Sequence, residues 1–257
     1  MFLALFFLAL SAAAELTPAS PRQLVRETVD NELKPDSDLK FMFRDHKQTP
    51  HGSSTKLMVQ TTEAMAGVVI AYDGHPLNQQ QRQAELARNQ RFIHDPEELR
   101  KKRKQEKENE DRISRIMKAL PDAFLYEYDG AEPGRKGIGE AGVELIRLRF
   151  RPNPKYNPPS RVEQVLTAMT GSMLIDPRKK RLARIDGTLS HDVAFGWGIF
   201  GHLDKGGHFR VQQADVGDGS WELTSMSLRM TGKILLFRGL SITTDEVFSD
   251  FQQVPAD

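Results

Sequence analysis

The stretch "HLDKGGH" holds two imidazoles and a carboxylate in seven residues: His202, Asp204 and His208. Neutral imidazole and carboxylate are ligands for zinc or copper. If Gly206-Gly207 closes a tight turn, His202 and His208 would face each other across a hairpin, which makes them a candidate metal pair. Two solvated histidines beside a turn is the plainer reading, and no metal or other cofactor is expected. The neighbours His191 and Asp192 invite a catalytic dyad, but adjacent strand residues point to opposite faces. Glu127/Asp129 and Asp245/Glu246 could be read as general acid and base. With no sugar-binding aromatics clustered near them, they read as polar faces of strands. The chain has no HExxH, GxSxG or Walker A motif, and no GxGxxG set between a strand and a helix. It also has no cysteine, so disulfides, thiolate catalysis and Cys-ligated metals are excluded. The residues argue against an enzyme.

The chemistry that remains is hydrophobic. In "VAFGWGIFGHLDKGGHFRV", Phe195, Trp197 and Ile199 alternate with Gly196 and Gly198. Period-two alternation marks a strand with two unlike faces. Here the second face is bare glycine, which suits a sheet that must bend sharply or be approached closely. The bulky residues are expected to point inward. Apolar alternation in the adjoining segments extends the same face to Met173, Ile175, Ile185, Leu189, Phe209, Val211, Leu228 and Met230. Together with Phe195, Trp197 and Ile199, these residues are the candidate lining of an apolar ligand cavity.

A strand meander must carry that face. It runs through "GSMLIDP", "RLARIDGTLS", "DVAFGWGIFGHL", "HFRVQQADV", "WELTSMSLRMTG" and "ILLFRGLSITTDEVFSDFQQ". Turn residues at Asp176–Lys179, Asp204–Gly207, Gly217–Gly219 and Gly232-Lys233 read as its joints, and joints so short enforce antiparallel neighbours. Upstream, Ser20-Pro21 caps and opens a short amphipathic helix. Strands follow around the turns His51–Ser53 and Asp73-Gly74. From Asn78 to Leu120 the period becomes helical, with helices at about Gln79–Phe92 and Pro96–Leu120, the second begun by Asp95-Pro96-Glu97-Glu98. No apolar residue stands between Leu99 and Ile113. A helix polar all round is not a core helix, so Ile113, Ile116, Met117 and Leu120 are expected to dock its end. The fold class is therefore α+β: a strongly curved antiparallel sheet, an unclosed β-barrel, with an N-terminal helix and a long charged helical insertion.

At the N-terminus, "MFLALFFLALSAAAELTP" has the apolar run and small-residue cleavage site of a secretory signal peptide over residues 1–14. Residues 15–257 then form one exported, soluble domain. A formal net charge of +1 gives no global field for nucleic acid. The run Arg100–Lys104 could touch anionic headgroups at a membrane surface, or simply be a solvated face balanced by Glu106, Glu108, Glu110 and Asp111.

Taken together, the signal peptide, the first helix, "GSMLIDPRKKRLARIDGTL" and the closing "LLFRGLSITTDEVFSDFQQ" resemble the periplasmic outer-membrane lipoprotein-sorting family. This is the LolA-like half-barrel fold, which RseB-like sensors share. The strand–Asp-Pro–turn–strand unit Met173–Leu189 carries most of the likeness. The resemblance implies a concave apolar face lidded by helices, taking the acyl chains of a lipid or lipoprotein in the periplasm. The alternative it allows is an envelope-stress or partner-binding sensor that contacts an envelope protein through the charged insertion. That insertion departs from the small carrier's core.

Overall fold

A computed structural model describes residues 20–34, 40–61, 65–195, 201–217, 219–234 and 238–254. The expected signal peptide, Trp197 and Ile199 lie outside the described residues.

Helix α1 (Pro21–Glu32) starts where Ser20 accepts from the Gln23 N–H, and it buries Leu24, Val25, Thr28 and Val29. The strands β1 (Phe41–Thr49), β2 (Gly52–Gln60) and β3 (Met65–Tyr72) follow, and the last turns at Asp73-Gly74, both at positive φ, into the two-residue β4 (His75–Pro76). The insertion is two helices. α2 (Gln79–His94) opens with a capping box between Asn78 and Gln81, and α3 (Pro96–Ala123) opens on Asp95, whose carboxylate accepts from the Glu97 and Glu98 N–H groups. Next come β5 (Phe124–Pro133) and β6 (Glu144–Pro152). A single turn, α4 (Arg161–Gln164), runs on as a 3-10 turn, Val165–Ala168, into β7 (Met169–Asp176) and β8 (Arg181–Leu189). The chain ends with β9 (Val193–Phe195), β10 (Gly201–Leu203), β11 (His208–Gly217), β12 (Ser220–Ile234) and β13 (Arg238–Gln253).

All thirteen strands form one antiparallel sheet in the order β4-β3-β2-β1-β13-β12-β11-β8-β7-β6-β5, with β9 and β10 attached beside β12. Its two ends, β4 and β5, do not pair with each other, so the barrel is open. Two expected joints prove to be something else. β10 and β11 both pair antiparallel with β12, at Gly201↔Ile234 through Leu203↔Gly232 and at His208↔Arg229 onward. They are therefore two lengths of one line along the same edge, and Asp204–Gly207 is an interruption in that line rather than a hairpin. The interruption is pinned by the Gly206 N–H to the Leu189 carbonyl at 2.8 Å and the Leu189 N–H to the Gly207 carbonyl at 2.7 Å. Gly232-Lys233 likewise lies inside β12. Gly232 is needed there because a Cβ would sit 2.1 Å from the His202 carbonyl oxygen.

The Asp-Pro turn between β7 and β8 is built as its sequence suggests. Fully buried Asp176 accepts the N–H groups of Arg178 and Lys179 at 2.8 and 2.9 Å, a side-chain mimic of a backbone turn. The end of α1 docks on this turn: Asn31 donates to the Lys179 and Lys180 carbonyls, and Glu32 accepts the Leu182 N–H. The main core lies between α1, the C-terminal half of α3 and the concave face of β5–β8, with Phe124, Leu148, Phe150, Met173 and Ile175 almost sealed from solvent. A smaller cluster on the convex face sets Ile138 of the β5–β6 loop against Leu145, Leu174, Ala183 and Trp221.

α3 does more than dock its end. At 28 residues it is about 42 Å long. Its last residue joins β5 at one end of the sheet. Near its start, Lys102 donates to the Met65 carbonyl of β3 towards the other end. The helix is a strut across the open barrel. Its basic run is mostly neutralised along the helix itself, with Lys101, Lys102 and Lys104 facing Glu98, Glu106 and Glu108. α2 is anchored beside it, where Glu85 accepts the Val69 N–H at 2.8 Å and pairs with Arg88.

The Arg88 hydrogen bond, outweighing burial and aided by the Val69 N–H, holds the Glu85 carboxyl below its usual range. A depressed folded value means that this contact stabilises fully above the ordinary pKa of 4.5 and is lost as pH falls through the lower folded one. Hydrogen exchange at Val69, corrected for intrinsic rate, is expected to accelerate below pH 4.5 while mid-sheet Leu174 stays protected. Unchanged protection of Val69 across that range would contradict the anchor.

Candidate functional site

Antiparallel partners share a face, so the registers define the concave wall. Met173 pairs with Ile185, Ile185 with Val211 and Val211 with Met226; Phe209 lies between Gly187 and Leu228. Over this wall lies the apolar end of α3. Between the two is a cavity of about 370 Å³, roofed by Ile113, Ile116, Met117 and Leu120 and walled by residues including Phe150, Leu182, Ile185, Phe209, Val211 and Met226. Of its fifteen lining residues, Gln213 alone is polar. A second cavity of about 250 Å³ shares Ile116, Leu166, Met169, Phe209, Val211 and Met226 with the first and continues along β12 to Leu228 and Met230. The larger is within the usual size of small-molecule sites. The roof is tied at its end by the buried Tyr126 hydroxyl, which donates to the Leu120 carbonyl at 2.7 Å; burial pushes that phenol's pKa up.

The structure divides the residues picked out by alternation. Ile185, Phe209, Val211, Leu228 and Met230 line the two cavities. Met173, Ile175 and Leu189 stand on the same face but are at most 1% exposed, packed into the core and lining neither cavity. Phe195 is half-buried against that core. Several wall residues escaped the sequence reading. The alternation Met226, Leu228, Met230 was there to be read one step further, and Met169 continues the parity of Met173. The roof residues show in the sequence only as a docking patch, since nothing local says what they dock over.

His202 and His208 do not form a pair across a hairpin. Because β10 and β11 are collinear, each imidazole faces its own carboxylate: His202 Nε2 lies 3.1 Å from Asp204 Oδ1, and His208 Nε2 lies 3.0 Å from Asp186 Oδ1. No cluster of three metal-ligating side chains occurs among the described residues.

Gly187 sets the width of the cavity. A Cβ there would lie 2.3 Å from Phe209 Cε1 and 2.9 Å from Met169 Sδ, and both side chains line both cavities. Gly187→Val must push the ring into the open space. Overpacking of this kind costs about 1–3 kcal/mol. The expected result is a lower melting temperature together with reduced uptake of a fluorescent fatty acid. Unchanged uptake would show that Phe209 does not border the occupied volume.

No helix among the described residues is long and apolar enough to cross a membrane. No protein-family model matches the sequence, and no curated protein matches it. Among solved structures, the chain is similar to a "putative outer membrane lipoprotein-sorting protein domain" from Vibrio parahaemolyticus. The likeness spans 89% of this chain and 91% of that one, at 10% identity and a TM-score of 0.32.

Proposed function

We propose that this chain is an exported, non-enzymatic carrier of the periplasm, shielding the acyl chains of a lipid or lipoprotein between α3 and the concave face of its sheet. The observation that carries the reading is the cavity wall, fourteen apolar residues and one glutamine. Transfer from water into such a wall favours binding by ~0.8 kcal/mol per methylene, without any specific polar contact. Ile185, Phe209, Val211, Leu228 and Met230 hold the chain, and Ile116 and Met117 cover it. The polar outer length of α3 faces water while its apolar end closes the site.

The test is direct. The purified protein is extracted with organic solvent and the extract analysed by mass spectrometry, and binding of a fluorescent fatty acid is titrated in parallel. Co-purified lipid with saturable binding supports the carrier. An empty extract and no binding remove it. A second reading, a partner-binding sensor that uses the helical insertion, is favoured by a separate feature at β3.

A further inference from the structure

β4 covers β3 only at Ala71 and Tyr72, and along the rest of its outer edge β3 has no neighbouring strand among the described residues. Side chains of the insertion stand in for one. The Val69 N–H donates to Glu85 Oε1 at 2.8 Å, Arg88 Nη2 donates to the Gly67 carbonyl at 3.3 Å, and Lys102 Nζ donates to the Met65 carbonyl. Residues 65, 67 and 69 alternate along the strand, as backbone groups that point away from one partner must.

Between this edge and the two helices is a cleft of about 640 Å³, with Ala66, Gly67 and Val68 on one wall and Arg88, Lys101 and Lys102 on the other. A gap between an edge strand and a helix is the geometry that accepts an extended peptide as an added strand. We propose that the cleft docks an extended acidic segment of a partner protein, which adds to the outer edge of β3. Two peptide N–H groups take the carbonyls of Met65 and Gly67, and the Val69 N–H, buried outside the cleft lining, stays with Glu85.

The charge of the segment follows from the exchange. Lys102 leaves the Met65 carbonyl and takes an anion in its place, whereas Arg88 gives up only the Gly67 carbonyl and keeps its bidentate pair with Glu85. Lys101 stands beside them, held by Glu98 in an i,i+3 pair whose side chains are 70% and 51% exposed, a weak contact. Glu98 is the one acid lining the cleft against these three cations. Glu85 keeps Arg88, and Glu106 lies 3.6 Å from Lys102 outside the cleft lining. Peptide carboxylates are therefore taken by Lys101 and Lys102. The proposal stands apart from the carrier reading and gives the partner-binding reading a place and a ligand chemistry.

The test uses the mature protein and three acetylated peptides: alternating Val-Glu, alternating Val-Lys, and the Val-Glu sequence N-methylated at every second residue. Titration by fluorescence anisotropy is expected to show binding of the first, and at least about tenfold weaker binding of the other two, a difference of about 1.4 kcal/mol. Hydrogen exchange should show new protection confined to Met65–Val68, Val69 being protected by Glu85 already. Lys101→Ala, which touches no β3 backbone group, should weaken the Val-Glu peptide without changing the melting temperature. No binding of the Val-Glu peptide, equal binding of its N-methylated form, or protection elsewhere overturns the proposal. Fatty-acid uptake, measured on the same samples, reports on the carrier reading independently.

Discussion

Val211→Asp is expected to weaken fatty-acid binding by at least about a hundredfold, close to 2.7 kcal/mol, while Val211→Thr weakens it by about tenfold or less. Val211 stands on β11 between Ile185 and Met226 and borders both cavities. A carboxylate there is set among cavity walls whose polar members are Gln213 and Ser227, and its short stem holds the charge beside apolar side chains. An unpaired charge in such a place either raises its pKa or holds water in the cavity, and both oppose an acyl chain. Threonine keeps the shape and adds one hydroxyl, so the pair separates polarity from volume. A thermal melt run alongside checks that the Asp variant still folds. Binding by Val211→Asp equal to that of the parent would place the ligand outside this cavity.

The wall that this experiment probes was largely legible in the sequence, because strand parity is a local property. Phe209, Val211, Leu228 and Met230 announce a face by alternation alone, and the register then sets that face beside Ile185. What parity could not give was depth. Met173 and Val211 look alike in the sequence, yet one is sealed under the packing of α1 and α3 and the other borders open space. The helix starts were readable too, since Ser20, Asn78 and Asp95 are capping residues whose chemistry is contained within one turn. The expected end of the second insertion helix, at about Leu120, falls short: α3 runs on to Ala123 with Pro121 in its last turn.

Two errors share one cause. Asp204–Gly207 and Gly232-Lys233 carry turn residues, but turn chemistry reports a break in the chain, not what the next strand will pair with. Both sites are places where β10 approaches β12 or interrupts its line with β11. With that line straightened, the facing histidines disappear as a pair. The strut role of α3 was also out of reach. Its polar middle argued correctly against a core helix, but the contacts of Lys102 and Glu85 with β3 join residues that no local pattern relates.

The largest stability effect is expected at a residue that no motif of the sequence singles out. Glu32, on the last turn of α1, accepts the Leu182 N–H at 2.7 Å and lies 3.2 Å from Arg181 Nε, with the two side chains 8% and 16% exposed. Breaking a buried pair by removing one member costs about 3–5 kcal/mol, a large share of a typical total of about 5–15. Arg181 keeps the Trp221 carbonyl at 3.3 Å and its place over the Trp221 ring, so the lower figure applies. Glu32→Ala is expected to lower the melting temperature by about 6–12 °C, from about 2–4 °C per kcal/mol in a chain of this size. Glu32→Gln retains an acceptor for Leu182 without the charge and should fall between. Leu182 also borders the cavity, so loosening α1 from β8 moves the wall as well as the core. Glu32→Ala should therefore lose fatty-acid affinity even well below its own melting temperature. A variant that melts early but binds normally would show that α1 supports the fold alone, and that the concave wall keeps its shape without it.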